Sequence, residues 1–414
     1  MAAANGSMVP KGFLAEPFDY HEEIEVEIDT LTNLGVGLGR IDGWVVMVPF
    51  SLPGERVRGR VYRNHKNYSE ADLLEVLRRS PQRVEPVCPL FGTCGGCQYQ
   101  HFQYDEQLEW KRRQVKEVLQ RIGGIEMEPE PTLPSPVEYG YRSKITPHYG
   151  SGWARGDRSI GFLKVGRRRE MVDVPQCPIA TGAINEALPG LRQRTRERFD
   201  ADPPRRGGTL LLRDTLEGVT SDWKAEASAE VHGITFRYPA GEFFQNNPFI
   251  LERFVDVALG EAAAEGVRFL IDAYCGSGLF SLCGSRLFEA CEGIEVSERS
   301  IEWAERNRRA NSIDRCRFRL GDAAAIFSEV AFPASETAVL LDPPRRGSDP
   351  GFLNQLLHYG PARVVYVSCD PATQARDLRH LIAGGYVLER IRPVDLFPQT
   401  RHIETIATLR PAVA

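Results

Sequence analysis

The chain has 414 residues, 42% of them hydrophobic, with 51 Lys and Arg against 56 Asp and Glu and a formal net charge of −5. That length allows about two or three domains, and the acidic balance excludes a molecule that binds nucleic acid by overall charge, so such contacts must be local. No early apolar run is long enough for a signal-peptide core or a membrane span, and nine cysteines without a secretory signal point to metal binding or catalysis in a reducing, cytoplasmic compartment.

In chain order, residues 23–77 alternate as strands: EIEVEID, GVGLGRIDG, WVVMVPF and ERVRGRVYR, with glycine turns between them. The pattern predicts a small closed β-barrel in a first domain of residues 1–80. Arg56, Arg58 and Arg60 alternate with Val57 and Val61. With Arg63, Lys66, Tyr62 and Tyr68 they would form either a basic, aromatic RNA-facing edge or a plain solvated strand face.

A second domain, residues 81–235, opens with CPLFGTCGGCQYQH. Cys88, Cys94 and Cys97 sit close together there, and Cys177 follows in VPQCPIA. Four soft thiolates suit zinc or an iron–sulfur cluster; four unrelated buried cysteines are the alternative. Residues 104–121 read as a helix stopped by Gly123 and Gly124, and Pro129, Pro131, Pro134 and Pro136 make a stiff connector. Tyr141 to Arg169 is the most basic stretch. Arg142, Lys144, Arg155, Arg158, Lys164 and Arg167 to Arg169 alternate with Tyr141, Tyr149, Trp153 and Phe162, which predicts a positive sheet for a phosphate backbone and stacked bases, with a solvated hairpin as the alternative. The later arginine run, Arg192 to Arg206, also carries Glu197, Asp200 and Asp202 and reads as a helix face and surface loop.

The third domain, residues 236–414, carries the chemistry. AGEFFQNNP places Gln245 before a helix starting near Pro248. Arg268 to Ser297 reads as strand, glycine turn at Gly276 and Gly278, helix, and second strand ending at Glu295. Ser281 stands where a dinucleotide fingerprint wants its third glycine, so an adenosyl group without pyrophosphate fits better than a dinucleotide. Another nucleotide, or an αβ unit without ligand, is the alternative. Further strands follow near Phe318, Val339, Val364, Tyr386 and His402, which predicts a seven-stranded open α/β sheet. Its rim would gather Asp272, Glu295, Asp322, Asp342 and Cys369, with Glu404 just inside the last strand. Cys369, presented at a strand end before Asp370–Pro371, is a candidate nucleophile; a buried apolar cysteine is the alternative.

The motifs CGGCQ, DAYCGSG, LDPPRRG, VYVSCDPAT and HIE, in this order, resemble the RNA uracil-5-methyltransferase family, in particular its iron–sulfur branch acting on bacterial 23S ribosomal RNA. The resemblance covers almost the whole chain. It implies a Rossmann-like class I methyltransferase domain, an N-terminal barrel like the TRAM domain, and a central iron–sulfur and RNA-binding domain. It implies a [4Fe–4S] cluster on Cys88, Cys94, Cys97 and Cys177. S-adenosylmethionine would contact Gln245, Tyr274, Gly276, Gly278, Leu279 (through its backbone), Glu295, Asp322 and Asp342. Cys369 would be the nucleophile, Glu404 the proton-abstracting carboxylate, and Asp342 would lie close to cofactor and base. Gln399 replaces the family's usual histidine and Asp370 its usual asparagine.

The implied activity is methylation of uridine carbon 5 in 23S ribosomal RNA, with the tRNA T-loop as the alternative substrate. Cys369 would add to carbon 6 and so make carbon 5 nucleophilic. Three rivals fit less well. A radical enzyme wants C-x3-C-x2-C where this chain has C-x5-C-x2-C. An amine methyltransferase wants an aromatic residue where Arg345 stands. A non-catalytic RNA-binding protein leaves Cys369 and the rim carboxylates without a use.

Overall fold

The computed structural model describes residues 9–153, 156–321, 326–327 and 329–412, with the backbone alone at Arg168 and Arg169. The chain divides into two compact units, residues 1–107 with 399–401, and residues 108–398 with 402–414.

The first unit holds the closed barrel: β1 (Glu23–Leu31), β2 (Val36–Ile41), β3 (Trp44–Pro49), β4 (Arg56–Asn64) and β5 (Tyr68–Arg78). Period-two alternation turns Ile24, Val26, Ile28, Val46, Val48, Val57 and Val61 inward. The outward arginines do not form an unopposed basic edge. Arg56 meets Glu25 at 2.8 Å, Arg58 meets Glu75 at 3.0 Å and Arg60 meets Asp72 at 3.8 Å across the ladder. After the barrel, Arg83 grips the buried Glu55 with two nitrogens, at 2.5 and 2.8 Å. Gln399 also belongs to this unit. Its carbonyl accepts the Gln98 and Tyr99 N–H groups, both at 3.0 Å, and its side chain accepts from Gln107.

The expected [4Fe–4S] cluster, and with it an iron–sulfur subdomain, is a correction. Among the described residues no three His, Cys, Asp or Glu side chains converge as a metal site. Cys88, Cys94 and Cys97 lie on a turn-rich segment of the first unit, and Cys177 lies in the second. Burial, with Cys88 adding to it, pushes the Cys94 thiol up. The Cys177 backbone is held by Asn185, which accepts the Cys177 N–H at 2.9 Å and donates to its carbonyl at 3.0 Å.

Helix α1 (Tyr104–Val118), extended by a π turn to Gly123, crosses the division. The second unit continues with the short strands β6 (Lys144–Ile145), β7 (His148–Tyr149), β8 (Ile160–Lys164) and β9 (Arg167–Asp173), then α2 (Gly182–Ala201). Next come β10 (Gly208–Thr209), β11 (Leu212–Thr215), β12 (Gly218–Thr220) and the hairpin β13 (Glu226–Val231) and β14 (Ile234–Pro239). Here the predicted positive, aromatic surface is largely spent on structure. Tyr141 and Trp153 are buried, and Lys144 turns inward to donate to the Gly241 and Glu242 carbonyls. Glu170 takes both Lys164 and Arg167, and Arg158 meets Asp200. Arg155 lies outside the described residues.

The rest is a doubly wound α/β layer: α3 (Pro248–Ala262), β15 (Phe269–Ala273), α4 (Leu279–Gly284), β16 (Ala290–Glu295), α5 (Glu298–Ala310), β17 (Cys316–Leu320), β18 (Thr337–Leu341), α6 (Pro350–Tyr359), β19 (Arg363–Ser368), α7 (Pro371–Ala383), β20 (Tyr386–Val394) and β21 (Glu404–Pro411). The sheet has the seven strands that the spacing of apolar runs predicts; the structure adds their order, β17-β16-β15-β18-β19-β21-β20, and the antiparallel pairing of β21 with both neighbours. Alternate residues feed two cores, Leu270, Leu340 and Val365 on one face and Ile271, Val339 and Val364 on the other. The strand order reverses beside β15 and β18, where such sheets open a crevice at their carboxyl ends.

Candidate active site

At that crevice β15 runs out of buried apolar residues and turns sharply. Tyr274 (φ 66°), Gly276 (φ 53°) and Gly278 (φ 91°) all adopt left-handed backbone. A Cβ on Gly278 would lie 2.8 Å from the Phe318 ring, so only glycine fits there. Ser281, the residue that breaks the dinucleotide pattern, has a local task. Its N–H and hydroxyl donate to Asp272 Oδ2 at 2.9 and 2.7 Å and lock the turn to the strand. Asp272 is therefore buried beneath the rim, and desolvation pushes its carboxyl up to about 7.

A cavity of about 390 Å³ opens above this turn. Gln245, Tyr274, Gly276, Leu279, Glu295 and Asp342 all line it, which brings six of the expected cofactor residues together. Gly278 starts α4 one residue earlier, and Asp322 lies outside the described residues. Glu295, at the end of β16, accepts the Gly276 N–H at 3.2 Å and the Val296 and Ser297 N–H groups at 2.8 and 3.0 Å. Gln245 is presented by the segment that Asn247 fixes. The Asn247 amide donates to Ser135 and to the Leu396 carbonyl while its oxygen caps α3. An acid at the second strand end, a glycine turn and a mixed apolar and polar wall fit an adenosyl ligand.

Sequence reasoning did not select Phe243, Trp303 and Arg346, which also line the cavity. Phe243 is 74% exposed, an unusual placement for a phenylalanine next to a cavity. The doubled aromatic in EFFQ and the doubled arginine in PPRRG were the available signals.

Asp342 leaves the end of β18 and connects the cavity to the second group of residues. Burial and the Asp272 charge push its carboxyl up to about 7. The following loop is braced from α7. Thr373 donates to the Arg345 carbonyl at 3.0 Å, and Arg376 donates to the Arg346 carbonyl at 3.0 Å. Asp377 receives the Ser348 N–H at 2.9 Å and the Tyr366 hydroxyl at 2.7 Å. Gly347 (φ 74°) passes so close that an added Cβ would lie 2.5 Å from the Asp377 carboxylate.

Cys369 follows the last residue of β19, and Asp370 caps α7 by accepting the Ala372 and Thr373 N–H groups at 3.0 and 3.2 Å. Burial pushes the Cys369 thiol up to about 11, Glu404 and Asp342 add to this, and Arg345 opposes it by charge and a hydrogen bond. Glu404 opens β21, only 8% exposed, and burial with the Asp342 charge raises its carboxyl well above the usual range. The structure thus gathers a thiol, two carboxyls and an arginine. A carboxylate with a raised pKa is a stronger base, and the arginine favours the thiolate.

Comparison with known proteins agrees with this geometry. A family described as tRNA (Uracil-5-)-methyltransferase matches residues 224–411, and one described as TRAM domain matches residues 21–74. A tRNA (uracil(54)-C(5))-methyltransferase of Schizosaccharomyces pombe is 41% identical over 99% of this chain and 82% of that protein. One of Saccharomyces cerevisiae is 33% identical over 94% of this chain and 74% of that protein. The crystal structure of Pyrococcus abyssi tRNA (uracil-54, C5)-methyltransferase with S-adenosyl-L-homocysteine superposes with a TM-score of 0.73 at 27% identity, covering 93% of this chain and 99% of that one. These relatives overturn the expected kinship with 23S ribosomal RNA enzymes. The motifs behind that expectation report uracil chemistry, which does not depend on the RNA that carries the base.

Proposed function

We propose, from the premise that this chain belongs to the RNA uracil-5-methyltransferase family, that it methylates carbon 5 of uridine 54 in the T-loop of tRNA. The chain is an RNA (uracil-C5)-methyltransferase. The observation that supports the choice of RNA is 41% identity along 99% of the chain to an enzyme named for that position of tRNA. We keep the three-part division at about residues 80 and 235 as a working map, and a cytoplasmic site of action. Among the described residues no helix is long and apolar enough to cross a membrane.

S-adenosylmethionine, when bound, supplies an electrophilic methyl group on a sulfonium. In our reading Glu295 takes the ribose hydroxyls, the Tyr274–Leu279 turn supports the cofactor, and Gln245 and Asp342 orient cofactor and base. The target uridine leaves its stack to enter. Cys369 gives up its proton to solvent, and the thiolate, favoured by Arg345, forms a sulfur–carbon 6 bond while the ring electrons move to carbon 5 and oxygen 4. Once carbon 5 carries the methyl group, Glu404 removes its remaining proton. The returning electron pair expels the Cys369 thiolate and restores the ring. Holding these groups in place can offset about 7 to 11 kcal/mol of barrier at its upper range.

The test is methylation of an unmodified tRNA transcript beside one with cytidine at position 54, and of 23S ribosomal RNA fragments. Methyl transfer to the first alone is expected. Transfer to the cytidine-54 transcript, or to ribosomal RNA but not tRNA, rejects the substrate.

A further inference from the structure

A second cavity, of about 400 Å³, shares no lining residue with the first. It is built on α2, the arginine-rich helix that the sequence alone presents as an ordinary surface. The structure divides those arginines by face. Arg192 is buried and meets Asp173 at 2.6 Å, and Arg196, one turn on, meets the same carboxylate at 3.2 Å. Arg194 and Arg198, also one turn apart, point the other way and line the cavity. Neither has a carboxylate partner among the described residues, and both are exposed.

The rest of the wall complements those two cations. Trp223 is 43% exposed, and its backbone is held by the Gly241 N–H at 3.0 Å. A Cβ on Gly241 would come within 2.8 Å of the indole, so the close packing of this wall depends on glycine. Tyr149 leans on the buried Phe199 with ring centroids 4.6 Å apart. No Asp or Glu is among the lining residues. A pocket of single-ligand size with an exposed indole and two unopposed guanidinium groups has the chemistry that single-stranded nucleic acid requires, a stacking face for a base and cations for its phosphates.

We infer that this pocket holds one unstacked nucleotide of the RNA substrate other than the uridine being methylated, its base against Trp223 and its phosphates against Arg194 and Arg198. The inference rests on the RNA-methylating reading above and adds a separate docking point to it. The site positions RNA and takes no part in the chemistry.

The experiment uses the full chain and measures equilibrium binding of a tRNA transcript and of a uridine-rich single-stranded RNA oligomer across a salt series. Each phosphate contact on a single strand contributes about 0.7 to the log–log salt slope, so Arg194→Ala/Arg198→Ala lowers it by about 1.4. Trp223→Ala weakens binding roughly tenfold, and Trp223→Phe restores most of it. S-adenosylhomocysteine affinity and the single-turnover rate at saturating RNA stay unchanged in all three variants. Unchanged affinity and slope on both RNAs overturn the pocket, as does a loss of S-adenosylhomocysteine binding that accompanies the RNA effect. A parent protein that methylates no tRNA, while the arginine effect persists on the oligomer, overturns the substrate reading and leaves the pocket supported.

Discussion

Cys369 and Glu404 are neighbours because the strands that carry them run in opposite directions: Ser368 pairs with Thr405, so the thiol leaves β19 where the carboxylate enters β21. The ladder is pinned from below. The Thr405 hydroxyl donates to Gln374 at 2.7 Å, and the Gln374 amide donates to the Tyr366 carbonyl at 2.8 Å, all three residues buried.

This juxtaposition separates the two roles experimentally. Cys369→Ala should abolish methylation and any covalent RNA complex while S-adenosylmethionine still binds. Glu404→Gln should transfer the methyl group yet fail to release the RNA, leaving a complex stable on a denaturing gel. A Glu404→Gln protein that binds both substrates but leaves no adduct contradicts this assignment.

The raised Cys369 thiol has a pH signature. An ordinary cysteine titrates near about pH 8.5. With its thiol pushed up to about 11, Cys369 in the RNA-free protein should alkylate with iodoacetamide at a rate that keeps climbing past about pH 9. Arg345→Ala removes the opposing cation and should slow alkylation further. Peptide-resolved mass spectrometry reads both, and a plateau near about pH 9 would count against the reading.

Asp342 predicts how the cofactor is distinguished from its product. Its carboxyl, pushed up to about 7, is neutral below that pH and anionic above it. An anion at the cavity wall favours a sulfonium over a neutral thioether. Preference for S-adenosylmethionine over S-adenosylhomocysteine should therefore grow several-fold as pH rises through about 7, and Asp342→Asn should flatten the profile. Calorimetric titration at successive pH values measures it; a flat parent profile refutes it.

The α7 brace should affect both stability and turnover. Asp377→Ala leaves the Ser348 N–H and the Tyr366 hydroxyl without their acceptor, which costs about 2 to 4 kcal/mol. Tyr366→Phe removes one bond and costs about 1 kcal/mol. Because the brace holds the loop bearing Arg345, both should lower kcat more than they raise KM for RNA. Urea titration with steady-state kinetics tests this, and an effect confined to KM would discount it.

Gly278→Ala should be worse than an ordinary helix-end substitution. The new Cβ meets the Phe318 ring at 2.8 Å on left-handed backbone. Strain of about 1 to 3 kcal/mol is expected, with loss of S-adenosylhomocysteine affinity in calorimetry. Parent-like affinity and melting would show that the turn can relax.

By itself, the sequence determined whatever is written in local pattern. Alternating valines around glycine turns specify the barrel, since side chains of a strand alternate between its faces. Apolar runs at even spacing specify the parallel sheet, and Gly276, Gly278 and Glu295 mark where its crevice lies. Cys369 was legible as a candidate nucleophile because a strand end presents it, whereas Glu404 took its expected role from the family resemblance.

Only the tertiary structure decided questions of convergence and pairing. Four cysteines state a possible ligand set, but a cluster needs their sulfurs around one point, and the described residues do not assemble one. Lys144, Tyr141 and Trp153 look like an RNA surface in one dimension; in three, Tyr141 and Trp153 are buried and Lys144 is spent on a backbone carbonyl. Conversely, Arg194 and Arg198 look like any solvated helix until the fold gives Asp173 to Arg192 and Arg196 instead. Residue type states what a side chain can bind, whereas burial and the charges packed beside it decide what remains available for a ligand.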